Sequence, residues 1–401
     1  MPITARSTGT SAAGTPASAA QLRTAAALAA AWRQAAGRAA DPGAGIRVLR
    51  GLRRHELLRV AAADLLGMLD VAQVGRALTD IAVATLQVGL DVAVRAHAAE
   101  TGTAPGDLPT DLAVIGMGRL GGGELAYGSD ADVLFVHRPR PGAEDRQATA
   151  AANAVAHTLR RLLGEPAPDP AFELDADLRP EGRQGALVRS LDSYREYYDR
   201  WMSVWEVQAL LRAVPVAGDE ALGAAFVELV DPIRYPAGGV SAEQVAEIRR
   251  IKARVERERL PRGADPTTHT KLGRGGLADV EWTAQLLQLE HAGEHPELRV
   301  TSTVAALTAL REAGLLDDDQ AEALQLAWEL ASRARNAVVL VRGRPSDQLP
   351  RPGAELAGVA RASGYGPDAD PGQFLDDYRR ATRHARGVVD QVFYGQPPAG
   401  S

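Results

Sequence analysis

The stretch GMGRLGGGELAYGSDAD, which runs from Gly116 to Asp132, contains two overlapping signals. Its first six residues match the G-x-G-x-x-G fingerprint of dinucleotide-binding folds, and its end contains two aspartates, Asp130 and Asp132. The fingerprint requires a helix after the glycines and an acidic residue on the next strand. Glycines continue to Gly128, so no room remains for a crossover connection, which needs at least about 10–12 residues. The sequence therefore argues against a dinucleotide site.

Asp130 and Asp132 begin a predicted strand, DADVLFVH (130–137). Residues two apart on a strand share a face, so both carboxylates point the same way. Two close carboxylates repel unless a cation neutralises them, and Mg²⁺ typically binds one or two carboxylates together with substrate phosphates. The preceding glycine loop offers backbone N–H groups to phosphate oxygens, beside the Ser129 hydroxyl. The pattern predicts a site for a nucleoside triphosphate and a metal ion; two solvated acids at a strand edge are the alternative.

A third carboxylate, which would complete a two-metal arrangement, is available in FELDADLRPEGRQG (172–185). Glu173, Asp175 and Asp177 alternate along a predicted strand there and share one face. Periodicity does not separate the three, so the identity of a third carboxylate stays open at this stage.

Four basic residues are candidates for binding phosphate or stabilising negative charge. Arg179 and Arg183 follow the acidic segment, and Lys271 and Arg274 lie in KLGRGGLADVEW (271–282). The alternative for the first two is a pair of surface arginines. For the second two it is a glycine turn before a helix N-terminus, where acidic residues suit the helix dipole.

Aromatic residues form a stripe at Tyr194, Tyr198, Trp201 and Trp205, with helical spacing. This spacing predicts one helix whose aromatic face packs in the core. Stacking of an adenine base on one of these rings is the alternative.

Helical and strand periodicities divide the chain into four segments. Residues 1–20 are rich in Ser, Thr, Ala, Gly and Pro and are predicted to be a disordered low-complexity tail. Residues 21–105 are predicted to be a helical segment, 106–215 a sheet domain with a helix near 146–163, and 216–401 a set of helices, which together indicate an α+β fold. The predicted strands are LAVIGM (112–117), DADVLFVH (130–137), AFELDADLR (171–179) and GALVRS (185–190).

Two predicted helices begin with recognisable capping residues. Asp70 precedes an apolar stripe of helical spacing. Ser241 and Gln244 fit a capping box, in which each side chain bonds the backbone N–H of the other residue. These signals predict where a helix starts before the sheet domain and where another starts after it.

Composition narrows the functional classes. A net charge of −6 argues against a general nucleic-acid-binding protein, which usually carries a basic excess. No uninterrupted apolar run approaches the roughly 20 residues that span a bilayer, and the N-terminus lacks a secretory-signal pattern. The absence of cysteine excludes disulfides and thiolate metal sites. We therefore expect a cytoplasmic protein that binds neither nucleic acid nor membrane.

Four segments along the chain carry a family resemblance. They are GMGRLGGGELAYGSDADVLFVH (116–137), LDADLRPEGRQGALV (174–188), WEVQALLRA (205–213) and KLGRGGLADVEWTAQLLQLEHA (271–292). Together they resemble the glutamine-synthetase adenylyltransferase family of polymerase-beta-like nucleotidyltransferases, over most of the chain. The resemblance implies a polymerase-beta-like nucleotidyltransferase sheet domain flanked by N-terminal helices and a C-terminal helical-bundle domain.

Members of that family typically have two nucleotidyltransferase halves. One half removes AMP from glutamine synthetase by phosphorolysis, and the other adds AMP from ATP to a tyrosine. RVAAADLLGMLDVAQVG (59–75) and LDADLRPEGRQGALVRS (174–190) are similar to the adenylylating, C-terminal half. The resemblance therefore implies adenylylation of glutamine synthetase in nitrogen metabolism, with a PII-type signal protein and glutamine as regulators. Phosphorolytic removal of AMP and a non-catalytic nucleotide-binding module are the alternatives.

The resemblance also implies roles for particular residues. Asp130 and Asp132 would bind Mg²⁺ or Mn²⁺, and Asp175 would be the third catalytic and metal-binding carboxylate. Asp175 could also be the general base for the attacking tyrosine, whose unperturbed pKa is near 10. The predicted nucleotide-binding residues, from the glycine stretch and the basic segments, are Gly118, Gly121, Gly128, Ser129, Arg179, Arg183 and Lys271.

Overall fold

A computed structural model of the chain describes residues 22–397, so the predicted tail at residues 1–20 lies outside the described residues. The helices are α1 (Ala25–Gly37), α2 (Pro42–Leu65), α3 (Val71–Thr101), α4 (Gly118–Gly121), α5 (Asp145–Gly164), α6 (Leu191–Arg200), α7 (Val204–Leu210), α8 (Glu220–Arg234), α9 (Ala242–Arg259), α10 (Leu277–His291), α11 (Thr303–Glu312), α12 (Asp318–Arg342), α13 (Ala354–Ala362) and α14 (Pro371–Val392). The strands are β1 (Thr110–Gly116), β2 (Ala131–Pro139), β3 (Leu174–Asp175), β4 (Val188–Ser190) and β5 (Val214–Gly218).

Helix α3 is the centre of the N-terminal helical segment. Asp70 caps its first turn in a capping box with Gln73, which confirms the predicted helix start. Helices α1, α2 and α5 pack around it. By length and composition α3 could cross a membrane, but 72% of its most apolar stretch is buried inside the protein, as in the core helix of a globular domain.

The sheet is covered on both faces. β1 lies between β2 and β5 and is antiparallel to both, while β3 and β4 pair in parallel with the beginning and the middle of β2. Ala131, Val133 and Phe135 pack in a core with α3 and α5, whereas Leu134 and Val136 pack in a core with α6 and α8. Burial on both faces explains why the central strands are continuous apolar runs.

The third predicted strand, AFELDADLR (171–179), is mostly a loop. Only Leu174–Asp175 pairs with β2. The strand ends there because Asp175 Oδ1 accepts the backbone N–H of Asp177 at 2.7 Å, which turns the chain. The prediction that Glu173, Asp175 and Asp177 share one strand face is therefore wrong.

Strand β5 extends the sheet across the predicted domain boundary at residue 215. It contains Pro215, which donates no hydrogen bond to a ladder and is tolerated because β5 is the last strand in the sheet order. Helix α8 packs on the same sheet through Leu222 and Phe226. The sheet domain thus continues to the end of α8.

Helices α9–α14 form a helical bundle with its own core. Ser241 caps α9 in a capping box with Gln244, as the sequence predicts. Trp328, Tyr378 and Phe393 are buried at the centre of this bundle. The described structure confirms the predicted α+β class, with a small sheet between N-terminal helices and a C-terminal helical bundle.

A buried ion pair of the sheet domain is hydrogen-bonded to the helical bundle. The carboxylate of Glu124, in the loop after α4, accepts hydrogen bonds from Arg212 Nη1 at 2.9 Å, Ser302 Oγ at 2.9 Å and Thr303 Oγ1 at 2.8 Å. The side chains of Glu124 and Arg212 are 5% and 6% exposed. A buried charge is tolerated only when it is paired and hydrogen-bonded. Glu124 meets both conditions, because Arg212 pairs with it within the sheet domain and Ser302 and Thr303 bond it from the start of α11.

Arg212→Met is expected to lower the free energy of unfolding by about 3–5 kcal/mol, because it leaves the Glu124 carboxylate buried without its cation. Urea denaturation measures this loss. Arg33→Met is the control, because Arg33 and its partner Asp91 have side chains about half exposed. That loss should stay below about 1 kcal/mol. Similar destabilisation by the two substitutions would contradict the role given to the buried pair.

Candidate active site

Strand pairing brings three aspartates to one cleft. Asp132 is the second residue of β2 and pairs in register with Asp175 of β3, while Asp130 immediately precedes β2. All three line a cleft of about 970 Å³, whose other walls come from α7, α9 and α10. The sequence pattern relates Asp130 to Asp132, and the sheet adds Asp175 to them.

The charges around Asp132 change its ionisation. Burial, together with the negative charges of Asp130 and Asp175, raises the pKa of Asp132 to about 6, although Lys271 and Arg119 act in the opposite direction. A carboxylate held against other carboxylates in this way favours a bound cation, because the cation relieves the repulsion. Such a shift is typical of functional sites.

The turn after β1 lies against the carboxylates. Gly118 has a φ of +50°, and a β-carbon at this position would overlap Oδ2 of Asp132. Glycine therefore allows the close approach. Gly121 has a different role, because a β-carbon there would overlap the carbonyl oxygen of Arg212. Gly118 lies beside the site, and Gly121 allows α4 to pack against the backbone near Arg212.

The Gly128–Ser129 turn lines a second cleft, of about 590 Å³. Gly128 has a φ of +70° and lies against Pro345, and Ser129 Oγ accepts the backbone N–H of Ala126 at 3.3 Å. Asp130 lines both clefts. The turn therefore adjoins the carboxylate cleft without lining it, and its role in binding nucleotide stays a prediction.

The two candidate arginines have different environments. Arg179 donates to the carbonyl oxygens of Ala176 at 2.8 Å, Arg183 at 3.0 Å and Gly185 at 3.1 Å, all within its own loop. Arg183 has a side chain that is 82% exposed, pairs with Asp177 and lines the carboxylate cleft. Arg183 is thus placed to meet a ligand, whereas Arg179 holds the loop together.

Lys271 reaches the carboxylate cleft from the helical bundle. The loop that carries it is held by Asp279, whose Oδ2 accepts the backbone N–H of Gly275 at 2.7 Å. Lys252 and Arg386 both pair with Asp279. Burial opposes ionisation of Asp279, yet these two cations hold its pKa below its usual value. Asp279 is therefore a structural residue that keeps Lys271 near the aspartates.

Arg119 lies near the carboxylates, and the sequence pattern does not identify it. Its Nη2 donates to Oε1 of Glu281 on α10 at 2.8 Å, and its charge acts on Asp132. The partners are 162 residues apart in the chain, so no local spacing signals the contact. Arg274, the other basic candidate of that segment, is exposed and does not line the cleft.

The predicted aromatic helix is two separate helices. α6 ends before Trp201 and α7 begins after it, so the four rings do not share a face. Tyr194 and Tyr198 pack in the core as predicted. Trp201 is 73% exposed, and Trp205 lines the carboxylate cleft together with Trp282 of α10.

The donor set of the site suits a hard divalent cation. Asp130, Asp132 and Asp175 offer carboxylate oxygens, which Mg²⁺ and Mn²⁺ prefer as ligands. The raised pKa of Asp132 reflects its burial and the negative charges of Asp130 and Asp175. Among residues 22–397, no three His, Cys, Asp or Glu side chains are arranged to hold a metal ion. Metal binding by the three aspartates therefore stays a prediction, based on donor chemistry and charge.

Asp132→Asn is expected to stabilise the metal-free protein by about 1–3 kcal/mol above about pH 7, and not near pH 4. The raised pKa means that folded Asp132 holds its proton to about pH 6, whereas the unfolded residue loses it near pH 4. Wild-type stability should therefore fall as the pH rises through this window, and asparagine removes that fall.

Urea denaturation in the presence of a chelator, at both pH values, measures the difference. Asp192→Asn is the control, because the Asp192 side chain is 84% exposed on α6. If the free energy of unfolding depends on pH in the same way for the wild type and Asp132→Asn, ionisation of Asp132 does not destabilise the folded protein.

Two family models match consecutive parts of the chain. The glutamate-ammonia ligase adenylyltransferase model matches residues 10–229, and the GlnD PII-uridylyltransferase model matches residues 248–393. The first match includes the sheet and the three aspartates, and the second includes Lys271 and the helical bundle.

Curated relatives cover nearly all of the chain. Proteins of Mycobacterium avium (strain 104), Nocardia farcinica (strain IFM 10152) and Mycobacterium tuberculosis (strain ATCC 25618 / H37Rv) are 58%, 59% and 56% identical over 92%, 90% and 92% of it. Each is named a bifunctional glutamine synthetase adenylyltransferase/adenylyl-removing enzyme, and the chain spans 37%, 36% and 36% of their lengths. Because the first family model also matches more than half of its residues, the chain belongs to the glutamate-ammonia ligase adenylyltransferase family.

Proposed function

We propose that this chain is a nucleotidyltransferase that moves AMP from ATP to a tyrosine of glutamine synthetase. The observation that carries the proposal is the strand pairing of Asp132 with Asp175, next to Asp130, in a cleft that Lys271 and Arg183 also line. The names of the relatives supply the proposed substrate. This segment covers a little over a third of those relatives, and we assign the transfer to it because three aspartates line one of its clefts.

The geometry suggests how the side chains share the reaction. A divalent cation bound by Asp130 and Asp132 would neutralise the triphosphate and orient the leaving pyrophosphate. Arg183 and Lys271 would bind phosphate oxygens. Asp175 Oδ1 already accepts a backbone N–H, which leaves Oδ2 to take the proton of the tyrosine hydroxyl. The tyrosine oxygen bonds to the α-phosphorus as the bond from that phosphorus to pyrophosphate breaks.

The remaining partner assignments extend the same proposal. Glutamine synthetase is the proposed protein partner, and the cytoplasm is the proposed compartment. A PII-type signal protein as a further partner stays a prediction that rests on the family resemblance alone.

Asp130→Asn, Asp132→Asn and Asp175→Asn are each expected to lower AMP transfer by about 10²–10³-fold or more, because each removes a charge that acts on the triphosphate or the nucleophile. The measurement is label passed from α-labelled ATP to glutamine synthetase with Mg²⁺. Glu173→Gln is the matched control, because Glu173 is two residues from Asp175 yet lines the second cleft. An aspartate variant that transfers AMP at the rate of the control would show that this aspartate takes no part in the proposed reaction.

The direction of the reaction is tested with the same preparation. AMP-modified glutamine synthetase and inorganic phosphate are supplied, and release of ADP reports phosphorolysis. We expect transfer from ATP to be the faster reaction, because residues 59–75 and 174–190 are similar to the adenylylating half of the family. Predominant release of ADP would reverse the assignment, and ATP binding without either reaction would identify a nucleotide-binding module.

A further inference from the structure

Two helices present the same short pattern to the carboxylate cleft. α7 carries Trp205 and Gln208, and α10 carries Trp282 and Gln285, three residues apart in each case. Residues three apart lie on one face of a helix, and all four of these line the cleft. One helix belongs to the sheet domain and the other to the bundle, so the tryptophan–glutamine pattern is repeated across the boundary between them.

The two glutamines are hydrogen-bonded to each other. Gln208 Nε2 donates to Gln285 Oε1 at 2.8 Å, and Gln208 is only 5% exposed. Within residues 22–397, neither side-chain amide makes another hydrogen bond. The carbonyl oxygen of Gln208 and the amino group of Gln285 thus remain open to a ligand in the cleft, one as an acceptor and the other as a donor.

The hydrogen-bonding edge of adenine complements this pair. Its N6 amino group is a donor and its adjacent ring nitrogen N1 is an acceptor. We propose that Gln208 and Gln285 bind this edge and that Trp205 and Trp282 contact the ring, so that the four residues form the adenine site for ATP. The inference rests on the proposed function and goes beyond it, because it names the groups that select the base.

The lining of the cleft is consistent with a nucleotide that has two chemically different ends. The carboxylates lie on or beside β2 and β3, whereas the tryptophans and glutamines lie on helices. Helix α9 adds Ile251 and Val255 to the lining, together with the charged residues Arg254, Glu258 and Arg259. Aromatic rings stack on any purine, so the tryptophans would supply affinity and the glutamines selectivity. The acidic, cation-binding part of the cleft would then hold the triphosphate.

The selectivity is tested with ATP and with purine riboside triphosphate, which lacks the N6 amino group and keeps N1. Gln208→Met removes the acceptor for N6 and also the hydrogen bond to Gln285, so it should weaken binding of ATP about tenfold and binding of the purine analogue clearly less. Gln285→Met removes the donor to N1 and should weaken both ligands by about the same factor. Calorimetric titration with Mg²⁺ and without glutamine synthetase measures these affinities.

Gln325→Met is the matched control for the glutamines, because Gln325 bonds Glu329 within α12 and does not line the cleft. It should bind both nucleotides as wild type does. Because the key comparison is between two ligands of one variant, a general loss of stability does not imitate it.

Tryptophan fluorescence gives an independent readout. Bound nucleotide should quench the cleft tryptophans, and Trp205→Leu or Trp282→Leu should remove part of that quench and weaken both ligands about fivefold or more. Trp201→Phe is the control, because Trp201 is 73% exposed and lies outside the cleft lining. It should leave both the affinities and the ligand-induced quench unchanged.

The outcomes separate this inference from the proposed function. Wild-type protein that fails to bind ATP would overturn the proposed function. If each of the four variants binds ATP as tightly as the wild type does, the adenine site is overturned and the proposed function stays in place. Equal weakening of ATP and the purine analogue by Gln208→Met would also overturn it, because the amide would not contact the N6 group.

Discussion

The carboxylate cleft depends on one buried ion pair, between Glu124 and Arg212. Glu124 comes from the loop that follows the glycine turn, Arg212 from the connection between α7 and β5, and the other donors to Glu124 from the start of α11. Removing either charge would leave the other buried without its partner. Glu124 also accepts hydrogen bonds from Ser302 and Thr303, so this ion pair of the sheet domain is bonded to the bundle. The cleft has walls from both the sheet domain and the bundle.

The charges near the cleft are arranged in two ways. Asp279 is compensated by Lys252 and Arg386 and holds the loop that carries Lys271. Asp132 is only partly compensated, by Lys271 and Arg119, and burial together with Asp130 and Asp175 still raises its pKa. Ionising it therefore costs the folded state free energy. The chain has two lysines. Lys252 pairs with Asp279, and Lys271 lines the cleft together with Asp132. A fully compensated carboxylate such as Asp279 supports the framework, whereas a partly compensated one such as Asp132 favours a cationic ligand.

Local signals predicted most of the elements, and their failures have physical causes. The caps at Asp70 and Ser241 and the two central strands are confirmed, because caps and strand alternation depend on neighbouring residues. The aromatic helix was predicted as one because its spacing is helical, although a capping box between Ser203 and Glu206 begins a second helix. The third strand is shortened by the side chain of Asp175, which bonds the backbone two residues on.

By itself, the sequence determined that Asp130 and Asp132 follow a glycine stretch at the start of a buried strand, because periodicity is a property of adjacent residues. The strand itself begins one residue later than predicted, at Ala131. Only the tertiary structure decided that Asp175 joins them, through its register with β2, and that Gly118 lies against them while the Gly128–Ser129 turn lines another cleft. Lys271 and the paired glutamines likewise come from distant segments. The physical reason is that such contacts are fixed by strand register and domain packing, which no local spacing encodes.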